Sequence, residues 1–161
     1  MTTPETPQPV LGPTKPAVLL VAGLAAAAGG WVLLSFYYAS MPPLPWAPTI
    51  TVAALAVIEG ILAQNTRGRI ERRPGFGRVD PLLVARYAVL AKASSLAGAM
   101  FAGFCAGLLA WLSLEPTKAA RDDIPAAVGG LVASMAMVGA ALWLERACRV
   151  PDPPEDDRPP R

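Results

Sequence analysis

The sequence predicts an all-α integral membrane protein, a four-helix bundle with both termini on the cytoplasmic side. Three observations point there. Of the 161 residues, 53% are hydrophobic and only 16% charged, a balance more apolar than a soluble domain of this size needs. Ala, Leu and Gly dominate the apolar stretches over the β-branched residues, which favours helices over the alternating strands of a barrel. Prolines punctuate the chain where each apolar run opens or closes.

The first apolar segment runs from about Ala17 to Tyr38. Pro16 opens it, because proline has a backbone angle already suited to a first helical turn, and Pro42 and Pro43 close it. A cleaved signal peptide is the competing reading, since Lys15 precedes an apolar run with Ala25 to Ala27 in an Ala-x-Ala arrangement. The run continues through Trp31 to Tyr38, too long for a signal-peptide core. The second segment spans about Trp46 to Gln64, with Pro48 in its first turn and the stretch Arg67-Gly68-Arg69 as its stop. The third runs from Pro81 to Leu114 and ends at Pro116. Its length corresponds to roughly 50 Å of helix against a hydrocarbon core of roughly 30 Å, so its first turns, with Arg86 and Lys92, are expected at the cytoplasmic surface. The fourth is expected over Ala126 to Leu144, opened by Pro125 and the acidic Asp123 near the positive end of the helix dipole, and closed by Pro151. Each segment reaches the roughly 20 residues that span a bilayer. Residues 1–15 and 151–161, rich in proline and polar residues, read as solvated tails.

Orientation follows from the basic residues. Arg67, Arg69, Arg72, Arg73 and Arg78 crowd the connection between the second and third segments, and short basic loops stay inside. With that loop inside, all of the fourteen Lys and Arg residues except Lys118 and Arg121 lie on or near the cytoplasmic side. Tyr37, Tyr38, Trp46 and Trp111 then gather at the outer interface, and Tyr87 and Trp143 at the inner one.

The chain contains no histidine, which excludes hydrolytic triads and histidine-based metal sites. A formal charge of +2 is too small to imply a nucleic-acid partner. The two cysteines, Cys105 and Cys148, fall at different depths, which argues against a disulfide. Cys148 lies beside Arg146 and Arg149, a setting that can lower a thiol pKa, although a lone interfacial cysteine is usually incidental. No cofactor is expected.

Glu59 is the main candidate for chemistry. It sits about five residues before the expected end of the second segment, where an ionised group costs up to about 3 kcal/mol and normally faces a partner or a cavity. Arg86, Lys92 and Glu145 are expected at the same end, forming a polar cluster with it. A helix-bridging ion pair is the plain reading of that cluster; a proton or ion relay, or a contact to a charged substrate, is the sharper one.

Small residues form the second feature. Ala99, Gly103 and Gly107 recur every four residues in the third segment, as do Gly98, Ala102, Ala106 and Ala110, and Gly130 and Ser134 do so in the fourth. Such spacing flattens a helix face and lets backbones approach closely. Packing within the chain is the plain reading, and a homo-oligomer or partner-subunit interface the alternative. The arginine-rich loop sets topology and is a candidate for anionic lipid headgroups.

Three stretches carry a family resemblance: Met41-Pro42-Pro43-Leu44-Pro45, Arg86 through Lys92-Ala93-Ser94 with the following Leu96-Ala97-Gly98, and Ala141-Leu142-Trp143-Leu144-Glu145-Arg146 through Cys148-Arg149. Over roughly Pro16 to Pro151 the chain resembles the family catalogued as domain of unknown function 3180, small actinobacterial membrane proteins. The resemblance implies a four-helix membrane protein of high-GC Gram-positive bacteria. It implies no activity, substrate or cofactor that transfers to particular residues. The expected role is therefore a non-enzymatic accessory or scaffold protein of the cell membrane, acting through helix packing and a basic cytoplasmic face. The alternative is a small transporter or channel-forming oligomer using Glu59.

Overall fold

The computed structural model describes residues 14–70 and 81–148. Four helices account for nearly all of them: α1 over Pro16–Tyr37, α2 over Ala47–Ile70, α3 over Pro81–Leu114 and α4 over Lys118–Ala147, with a single 3₁₀ turn, Tyr38–Ser40, after α1. All four are long and apolar enough to cross a membrane. There is no strand among the described residues.

Two helices differ from expectation. The stretch Arg67-Gly68-Arg69 does not stop α2, which continues to Ile70. Arginine is a good helix former, and one glycine costs only about 1 kcal/mol in a helix interior, too little to end it. Arg67 and Arg69 thus belong to the last turn of α2, where cations suit the negative end of the helix dipole. Arg72, Arg73 and Arg78 lie outside the described residues. α4 begins at Lys118, about two turns before the expected start at Ala126, because Thr117 caps it by accepting a hydrogen bond from the Ala120 amide at 3.3 Å. Pro125 therefore sits inside α4. Its missing N–H leaves the Arg121 carbonyl without an intrahelical donor, a cost restricted to one turn.

The four helices are laid out as an open row. α1 packs on α3, α3 on α4 and α4 on α2, while α2 meets α3 only narrowly. The edge positions show in burial: 17% of the apolar window is buried in both α1 and α2, against 44% in α3 and 39% in α4. Two apolar clusters hold the row, one toward each end. Leu34 of α1, Leu108 and Leu112 of α3, and Ala120 and Ala127 of α4 form the first. Ala63 of α2, Ala91 of α3, and Leu144 and Cys148 at the end of α4 form the second.

Glycines set the spacing between helices. Gly103 and Gly107 of α3 lie against the backbone of Gly23 and Ala27 in α1, and a methyl group at Gly23 would meet the Ala99 carbonyl at 3.2 Å. Ala99, Gly103 and Gly107 therefore face α1. Gly98 faces α4, where a methyl would lie 2.9 Å from Val138 Cγ2; Gly130 of α4 is similarly filled by Cys105 Sγ. Ser134 is fully buried, its hydroxyl donating to the Gly130 carbonyl. The stripe that starts at Gly98 does not stay on one face. Gly98 and Ala102 are buried, but Ala106 and Ala110 are exposed, because each four-residue step overshoots a full turn by about 40°.

Consecutive helices α1 and α2 occupy opposite edges of the row, so the chain between them crosses the ends of α3 and α4. The strap opens with the 3₁₀ turn Tyr38–Ser40, and the chain leaves that turn extended. Met41 is extended, with φ −83° and ψ 142°, and prolines at 42, 43 and 45 bias the rest toward the same conformation at no further entropic cost.

Candidate functional site

Two polar features stand out within this apolar framework. The first is Glu59, which lies near the midpoint of α2 because the helix continues past Gln64. Its side chain is buried. The Ser94 hydroxyl of α3 donates a hydrogen bond to the carboxyl group, and Oε2 has no hydrogen-bond partner. The bond joins α2 to α3, two helices that barely pack otherwise, at a level where Ala63 and Ala91 are both fully buried.

Glu145 reaches the start of α1. Its Oε1 accepts the Thr14 amide at 2.8 Å, which puts a carboxylate at the positive end of α1. Arg86 is exposed and Lys92 half-buried. Cys148 is buried, and burial, with the Glu145 carboxylate second, pushes its thiol pKa up. This reverses the expectation drawn from Arg146 and Arg149: Arg149 lies outside the described residues, and desolvation opposes the thiolate.

A neutral substitution tests what the Glu59–Ser94 bond contributes. Gln keeps a group that accepts from Ser94, so Glu59→Gln should change the unfolding free energy in detergent by less than about 1 kcal/mol. Glu59→Ala removes the acceptor and leaves a cavity, and is expected to cost about 2–3 kcal/mol. Equal losses in both would show that the negative charge itself holds the site.

The second feature lies at the opposite end, where the strap meets the corner between α3 and α4. Asp123, inside α4 and buried, accepts two hydrogen bonds: Oδ2 from the Tyr38 hydroxyl at 2.9 Å and Oδ1 from the Leu44 amide at 3.0 Å. One carboxylate thus latches both halves of the strap. Together, Asp123 and Glu145 tie α1 at its two ends to α4, although α3 stands between these helices.

Beside the latch opens a cleft of about 590 Å³. The Tyr38 and Trp111 rings pack on each other with centroids 4.4 Å apart and planes tilted by 52°. Leu34, Phe36, Met41 and Pro43 add apolar walls, and Glu115, Asp122 and Asp123 bring three carboxylates to the lining. The fields of all three fall on the Tyr38 hydroxyl. The sequence signals were present but pointed elsewhere: Asp123 reads as a helix-start residue when Pro125 is taken for the first turn, and Tyr38 and Trp111 as interfacial aromatics.

The family described as Protein of unknown function (DUF3180) matches residues 19–152. The chain belongs to this family. The match takes in α1 from Leu19 onward, the other three helices whole, the strap and the Asp123 latch. No curated protein and no solved structure matches it, so the family description is the extent of what likeness supplies.

Proposed function

We propose that this DUF3180 member is a multi-pass protein of the cell membrane, with both termini cytoplasmic, and that it serves as a non-enzymatic accessory or scaffold protein for a partner membrane helix. One observation carries the partner reading. A groove of about 580 Å³ runs between α2 and α4, lined by Thr49, Ala53, Ala56, Gly129, Ala133 and Ala136, small residues that let another helix backbone come close. Val57 and Val132, both 63% exposed, stand at its rim. The basic last turn of α2 supports the inward placement of that end.

A photo-crosslinking amino acid at Val57 or Val132 in native membranes is expected to give a discrete protein adduct. The same group at Leu24, an exposed position on α1, is expected to give lipid adducts. Lipid adducts at all three positions would count against a docked helix.

The second reading, a small transporter or channel-forming oligomer, draws on the unpartnered Oε2 of Glu59. Buried polar groups without a partner are rare enough to need a reason, and a mid-bilayer carboxylate is costly. Ion flux in liposomes that is abolished by Glu59→Gln would favour it over the scaffold.

A further inference from the structure

We propose that the cleft between the strap and the α3–α4 corner binds an organic ammonium group carried on an apolar body. Four features of the cleft converge on that ligand class. Its volume, about 590 Å³, falls within the range of small-molecule sites. Its lining combines the Tyr38–Trp111 ring pair and the apolar Leu34, Phe36 and Met41 with the carboxylates Glu115, Asp122 and Asp123, and neither Lys118 nor Arg121 is part of it. The excess of negative charge selects a cation. The carboxylates do not converge as a metal ion requires: no group of three or more such ligands forms among the described residues. A diffuse cation fits instead, its charge shared between the carboxylates and the face of an aromatic ring while its apolar part lies against the walls. Asp123 is already engaged by Tyr38 and Leu44, so direct contact falls to Glu115, half-buried, and Asp122, exposed at the rim.

The same ammonium chemistry has two sources, a soluble amine and a lipid headgroup. The test uses the full chain, labelled with ¹⁵N-tryptophan, in nanodiscs of phosphatidylglycerol. The Trp111 indole resonance is assigned by its loss in Trp111→Phe. Hexylammonium is expected to shift that resonance saturably, whereas hexanol and hexanoate, of equal chain length, leave it in place. Glu115→Gln and Asp122→Asn should each weaken the apparent affinity roughly tenfold, with the resonances of Trp31, Trp46 and Trp143 unmoved as evidence of an intact fold. Repeating the titration with phosphatidylethanolamine in the disc separates the sources. A Trp111 resonance already shifted there, with weakened hexylammonium binding, assigns the site to the headgroup; an unchanged titration assigns it to a soluble amine. A shift that hexanol reproduces, a shift that does not saturate, or full affinity in both charge-removal variants would overturn the proposal.

Discussion

Gly103→Ala is expected to detach α1 from α3, with a loss of about 3 kcal/mol in unfolding free energy. The added methyl group would fall on the backbone of Gly23, overlapping its carbonyl and Cα. Overpacking usually costs about 1–3 kcal/mol because a side chain can turn aside. Here the obstacle is main chain on both helices, so relief requires the helices to move apart. That in turn loosens the Gly107–Ala27 contact one turn away. Gly29→Ala and Gly139→Ala are the matched controls: a methyl at either position meets nothing within 4 Å, and each should raise stability by up to about 1 kcal/mol through helix propensity. Denaturant titration in detergent micelles, followed by circular dichroism, reads all three. A Gly103→Ala variant as stable as the controls would mean that the α1–α3 approach is not close.

Asp123→Ala should free the strap from the helix ends. The substitution deprives two donors of their acceptor, the Tyr38 hydroxyl and the Leu44 amide. Bonds to a charged group are among the stronger ones, and donors left unpartnered cost about 1–3 kcal/mol each, so a loss of about 3 kcal/mol is expected. Hydrogen exchange of the Leu44 amide should approach the rate of an open loop. Tyr38→Phe removes one of the two bonds and should cost about 1 kcal/mol with Leu44 still protected. The pair makes a double-mutant cycle in which coupling between Tyr38 and Asp123 measures the latch directly. Unchanged Leu44 exchange in Asp123→Ala would show that the prolines alone hold the strap in place.

The helices themselves were legible from composition and punctuation. Long apolar runs without strand-like alternation admit one reading, and Pro16 and Pro81 open α1 and α3 where proline is tolerated. Helix boundaries differ from the sequence expectation where a weak local signal meets a stronger one. Gly68 suggests an end to α2 that the surrounding helix formers override, and Pro125 suggests a beginning for α4 that the Thr117 cap pre-empts. The order of the helices was not legible. Small residues lie on several sides of α3, so their spacing announces close packing without naming the neighbour: Gly103 meets α1 while Gly98 meets α4. The cleft is illegible in the sequence for a related reason. Its parts come from positions 34–43 and 111–123, and only the crossing of the strap, a consequence of helix order, brings them together.

The row order also bears on how the chain is made. Helices emerge from the ribosome in the sequence α1, α2, α3, α4, yet α1 and α2 share no interface, and their partners α3 and α4 come last. The first two must wait, unpaired, while a proline-stiffened tether holds them at a distance. The α3–α4 hairpin then enters the space between them and supplies both missing surfaces at once. A chain arrested after α2 would hold two stable helices and no tertiary structure, so the fold is committed only when the second half arrives.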